Sequence, residues 1–179
     1  MKNNFFGTNN LVVIGEAGFC FAEYVLSKSL IKSKFTSILK KDKHKPIGKE
    51  VLSHNVFWSQ SNFNLDFLQI GKLQANNKSS LIVFSSASEF SSNVALKLNT
   101  VLSQLSVSTS YVVIGPFRFE GTKRQKLADD TYEKLVASGS SCFRFSNQDI
   151  FKLINPESSF DYGFGKLNAE ILKFLGTTR

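Results

Sequence analysis

The sequence is poor in the residues that usually announce a site. Of 179 residues two are cysteine, Cys20 and Cys142, with no CxxC and no ligand spacing around them. That excludes a cysteine metal site and leaves two reduced, buried thiols as the expectation. Histidine occurs twice, at His44 and His54, without an acid or cysteine at metal spacing, so both are read as non-functional. No apolar run approaches a membrane span, and the opening MKNNFFGTNN lacks the apolar core of a secretory signal. The expectation is a cytoplasmic chain with no transmembrane segment. Proline is scarce, at 3, whereas phenylalanine reaches 18.

The length suits one domain with a proper core. The net charge is +8, unevenly spread, because Lys28, Lys32, Lys34, Lys40, Lys41, Lys43, Lys45 and Lys49 fall in one region. Such a region can attract nucleic acid or an anionic membrane. It lacks interleaved aromatics and arginines, so base stacking has little support, and a solvated lysine-rich loop is the default reading.

Apolar patterning supplies the elements. Residues 11–14 form a short strand, and Gly15, Glu16, Ala17 and Gly18 turn it into a helix with a stripe at Phe19, Ala22, Leu26 and Leu30. A strand, a glycine turn and a helix open a nucleotide-binding α/β fold, because the turn aims N–H groups at a phosphate. Further strands are expected at 35–39, 51–58, 67–70 and 81–84. A helix from about Ser92 carries Val94, Leu98, Val101, Leu102 and Leu105, capped by Ser91 or Ser92. The stretch 111–149 reads as strand, Gly-Pro turn, helix and strand, the helix presenting Leu127, Thr131, Leu135 and Ala128, Tyr132, Val136. A short helix at 149–154 ends at Asn155-Pro156. A last one at 160–175 bears Phe164, Leu167, Ile171 and Leu175.

Within that stretch, PFRFEGTKRQKLADDTYEKL followed by FRFSNQDIFKL resembles the tubulin/FtsZ GTPase family. Phe117, Phe119, Glu120, Gly121, Lys123, Arg124 and Ala128 match the family block in register, and Asn147 matches the asparagine of its polar turn. Phe164, Gly165 and Asn168 match the start of the family's central helix. The resemblance implies an α/β, Rossmann-like domain, a mostly parallel sheet with helices on both faces. Residues 1–10 would be a short extension and 11–179 the GTPase-type half, with the family's C-terminal domain absent.

The same resemblance marks departures. Phe19, Cys20 and Phe21 stand where family glycines would be, and bulky side chains there should close the approach to a phosphate. Glu89, Phe90, Ser91, Ser92 and Asn93 replace the glycine-threonine loop that wraps the phosphates, and Ala169 stands at the aspartate that reads guanine. The implied function is a non-catalytic FtsZ-like protein with a degenerate GTP site. It would cap or regulate a division or cytoskeletal filament, with full-length FtsZ or another filament protein as partner and no cofactor. The alternative is a divergent GTP-binding homologue holding GTP or GDP with Mg. Gly15 and Gly18 would then face the phosphates, Glu120 and Arg124 the ribose and phosphates, and Asn147 the sugar or base. Phe164 would stack on guanine, near Asn168. A nucleic-acid or membrane binder is the third reading, and a decaying gene fragment the fourth.

Overall fold

The computed structural model describes residues 10–28, 36–40, 54–58 and 79–177. The described strands are β1 (Asn10–Ile14), β2 (Thr36–Lys40), β3 (His54–Trp58), β4 (Ser79–Ser85), β5 (Ser108–Gly115) and β6 (Ser141–Ser146). They pair in parallel in the order β3-β2-β1-β4-β5-β6. The helices are α1 (Gly15–Ser27), α2 (Glu89–Gln104), α3 (Thr122–Ala137), α4 (Ile150–Leu153) and α5 (Phe160–Thr177), with 3-10 turns at Arg118–Glu120 and Asn147–Asp149.

The central strands are continuous apolar runs because both faces of a parallel sheet are covered. Alternate residues feed two cores. Leu11 and Val13 of β1, Leu81 and Val83 of β4, and Val112 and Ile114 of β5 join Phe21, Ala22 and Val25 of α1 and Leu167, Ile171 and Leu175 of α5. Val12, Ile14, Ile82, Phe84, Tyr111 and Val113 join Phe90, Val94, Leu98 and Leu102 of α2 and Leu135 of α3. Helices therefore flank the sheet on both faces, as the sequence implies.

Several local expectations change. Helix α2 begins three residues before Ser92, and its N-cap is Ser88, whose hydroxyl accepts from the Ser91 amide at 3.3 Å. Ser91 and Ser92 are buried inside the first turn and cap nothing. Cys20 is exposed on α1 and Cys142 half-buried on β6, so the pair is not a buried one. Leu105 is the C-cap just past α2 and Val136 lies on the outer side of α3, and both are exposed. The candidate strand at 67–70, residues 1–9, His44 and most of the lysine region lie outside the described residues.

Candidate functional site

The strand order reverses between β1 and β4, since the chain runs outward from β1 to β3 and returns to β4 on the other side. In open α/β sheets that switch point leaves a crevice beyond the carboxyl ends of the strands. A cavity of about 770 Å3 lies there. Gly15, Glu16 and Ala17 line it from the end of β1, Ser85, Ala87 to Ser91 and Asn93 from the end of β4, Glu120, Lys123, Arg124 and Leu127 from beyond β5, and Asn147 from the end of β6. Its volume is in the range of small-molecule sites.

The β1 side has almost no turn. The helix starts at Gly15, whose φ of +70° suits a residue without a Cβ. A Cβ there would also meet the Ser91 hydroxyl at 2.5 Å. Gly18 lies beneath, packed so closely on the sheet that a Cβ would approach the Val83 carbonyl oxygen to 2.4 Å. It serves helix–strand packing. Phe19 and Phe21 turn into the cores at 3% and 0% exposure, so they leave the cavity open. The expectation that they obstruct it fails because a helix beginning at Gly15 rotates both side chains inward.

On the β4 side four amides are engaged by bonds within the chain. The Ser86 amide donates to the Ile114 carbonyl at 2.9 Å and the Ala87 amide to the Ser85 hydroxyl at 3.4 Å. The Ser91 amide donates to the Ser88 hydroxyl and the Ser92 amide to the Ser88 carbonyl at 2.9 Å. The Ser92 hydroxyl donates to the Ser86 carbonyl at 3.2 Å. None of these four amides is available to a phosphate, and no glycine is present to redirect them. Exposed Glu16 and Glu89 occupy the first turns of α1 and α2, where the helix dipoles favour an anion. The chain's own carboxylates complement those helix ends, and both would repel a triphosphate.

The far wall carries Lys123 and Arg124 and is braced by hydrogen bonds. Arg124 pairs with Glu120, whose other oxygen accepts the Phe117 amide at 2.8 Å. Gln125 donates to the Phe117 carbonyl at 2.8 Å. Lys123 and Asn147 complete this wall. Of the sequence candidates, the structure thus brings Gly15, Glu120, Arg124 and Asn147 to one cavity. Gly18 lies below it, and Phe164 and Asn168 are not part of its wall. Phe164 packs against Phe117 at 6.2 Å between ring centroids. Asn168 is buried, and its amide makes no hydrogen bond to the described residues.

The wall also contains Ser85, Ser88 and Leu127, which no motif singled out. Their only signal is position, just beyond apolar strands or one turn into a helix. Among the described residues no three His, Cys, Asp or Glu side chains converge as a metal site.

No protein-family model matches this sequence, and no curated protein does. Solved structures match the fold. An empty FtsZ dimer from M. jannaschii superposes with a TM-score of 0.66 at 15% identity, covering 94% of this chain and 53% of its own. Tail-truncated TubZ from Clostridium botulinum phage c-st gives 0.69 at 12%, covering 95% and 61%. The GDP-bound monomer of CetZ1 from Haloferax volcanii gives 0.64 at 17%, covering 95% and 61%. The chain spans a little over half the length of these structures, and what it shares with them is the fold.

Proposed function

We propose that this chain is a non-catalytic FtsZ-like protein that associates with a division or cytoskeletal filament and regulates it, for example by capping, and that its GTP site is degenerate. One observation carries the reading: the Ser86, Ala87, Ser91 and Ser92 amides of the β4–α2 turn are bonded within the chain, and Glu89 stands where a phosphate loop would need glycine. A scaffold that keeps its cores and its crevice while closing the phosphate side supports a role in contact rather than turnover. Co-sedimentation with FtsZ polymer tests it. The expected result is pelleting with the polymer together with a change in polymer length or amount. Neither binding nor any effect would contradict it.

A second reading has its own support. The cavity is roomy, and the buried Asn168 amide has no hydrogen-bond partner among the described residues, a state that costs about 1–3 kcal/mol when nothing else satisfies it. In this reading the chain binds GTP or GDP, with Gly15, Glu120, Arg124 and Asn147 around the nucleotide and Gly18 packed beneath it. Phe164 and Asn168 would then have to move toward the base. Loss of nucleotide affinity in Asn147→Ala, measured by calorimetry, is the expected sign; no measurable affinity in the parent chain would end this reading.

A further inference from the structure

A second, smaller cavity of about 330 Å3 lies beyond β5 and β6 and is lined by Phe151 together with Arg118, Gln148, Asp149 and Lys152. Hydrogen bonds fix its walls. The Arg118 amide donates to the Gln148 Oε1 at 3.0 Å, the Gln148 amide to the Ser146 hydroxyl at 3.1 Å, and that hydroxyl to the Pro116 carbonyl at 3.3 Å. Asp149 is neutralised by Lys152 at 2.6 Å. Two donors are left over. The Arg118 guanidinium and the Gln148 side-chain nitrogen have no partner among the described residues. Neither group can accept a hydrogen bond, so the ligand they suit is an acceptor. A carboxylate suits them best, because it matches the charge of the guanidinium and can take two of its N–H groups side by side.

Phe151 joins this pocket to an aromatic surface. It meets Phe117 edge-on at 5.7 Å, as do Phe160 at 5.8 Å and Phe164 at 6.2 Å, while Phe119 stacks on Phe117 at 4.8 Å. Phe117 is buried, but the four rings around it are not: Phe119 is 70% exposed, Phe160 51%, Phe151 48% and Phe164 37%. At roughly 200 Å2 per phenylalanine they leave on the order of 400 Å2 of apolar surface. Patches of that size on soluble proteins are commonly contact sites. Its size limits the occupant. A partner face of equal area would bring the total to about 800 Å2, below the roughly 1,200–2,000 Å2 of a specific contact between folded proteins. A short segment of chain fits that area, and a flat bilayer surface cannot enter the pocket at its edge.

We propose that this face docks a short peptide segment of a partner protein, with apolar side chains on the phenylalanine rings and one Asp or Glu side chain seated in the pocket against Arg118 and Gln148. The rings supply apolar contact, and the guanidinium selects segments that carry the acid. None of Arg118, Phe119, Gln148, Phe151, Phe160 and Phe164 lines the larger cavity. The inference therefore stands apart from the nucleotide reading, and a failure here would leave that reading untouched.

Selection of a random peptide library displayed on phage against the full chain tests it, followed by fluorescence anisotropy with the selected peptides. The expected peptides combine aromatic or aliphatic residues with an Asp or Glu. Arg118→Gln should bind them about tenfold or more weakly, the loss of one charge-assisted pair. Exchanging the peptide's acid for its amide should weaken binding to the parent and leave binding to Arg118→Gln unchanged, which couples the two groups directly. The double variant Phe119→Ser, Phe160→Ser should lose binding while keeping the parent's circular dichroism spectrum; if it loses that spectrum, Arg118→Gln and the amide exchange decide. Val136→Ser, at an exposed apolar position on α3 outside the cluster, should bind like the parent. No enriched peptide overturns the proposal. So do enriched peptides without an acid, or an affinity that Arg118→Gln does not change. A chain that selects no peptide but pellets with phosphatidylserine vesicles only when Phe119 is intact also overturns it and assigns the face to lipid.

Discussion

At Gly18 an added Cβ would stand 2.4 Å from the Val83 carbonyl oxygen and 3.2 Å from the Val13 Cβ, and the first of these neighbours is backbone that cannot swing away. Gly18→Ala should therefore destabilise the fold by about 1–3 kcal/mol, seen as a lower denaturant midpoint with an unchanged slope. Glu120 and Arg124 form a pair, yet their substitutions should differ. The arginine side chain is 58% exposed and the glutamate's 15%. Arg124→Ala should cost less than about 1 kcal/mol, as exposed ion pairs do. Glu120→Ala also orphans the Phe117 amide and should cost about 1–3 kcal/mol in thermal or chemical unfolding. At Cys142 burial raises the thiol from its ordinary 9.0 to about 11. Folding thus favours the neutral thiol, and above about pH 9 the unfolded chain ionises first. Stability should fall as pH rises from about 9 to about 11, and Cys142→Ser should flatten that part of a melting-temperature profile.

Among the elements, α2, β5 and the end of α3 meet at a buried polar knot. Asn99 of α2 donates to Ser138 at 2.8 Å, and its oxygen accepts from Tyr111 at 2.9 Å and Ser140 at 2.8 Å. Asn99→Ala leaves a buried tyrosine hydroxyl without its acceptor and should cost about 2 kcal/mol, whereas in Tyr111→Phe the amide oxygen keeps Ser140 and the loss should be nearer 1 kcal/mol. Denaturant titration of both variants compares them. The strands around this knot were legible because β1, β4 and β5 are buried on both faces and read as unbroken apolar runs. The start of α2 was not. Glu89, Ser91, Ser92 and Asn93 are polar, and nothing in their periodicity shows that Ser88 rather than Ser91 supplies the cap. The inward turn of Phe19 and Phe21 was equally hidden, since it depends on α1 beginning directly at Gly15.

For the whole molecule, a Rossmann-like parallel sheet could be read from the alternation of apolar strands and striped helices, together with the PFRFEGTKR block. The carboxyl-end crevice follows from that topology. What could not be read is the cavity wall, because it is assembled from the ends of four strands that are distant in sequence. Motif matching reached Gly15, Glu120, Arg124 and Asn147, which sit beside recognisable turns. It could not reach Ser85, Ser88 or Leu127, whose place is set by packing. Nor could it show that the Ser86, Ala87, Ser91 and Ser92 amides are bonded within the chain. That bonding is the basis of the proposal that the site is closed to phosphate, and the proposal is directly measurable. Isothermal calorimetry of the purified chain with GTP and GDP in the presence of magnesium should give no binding heat at millimolar nucleotide, and neither nucleotide should raise the melting temperature. Saturable micromolar binding would contradict the account, for it would mean that the crevice holds a phosphate despite Glu16, Glu89 and the four engaged amides.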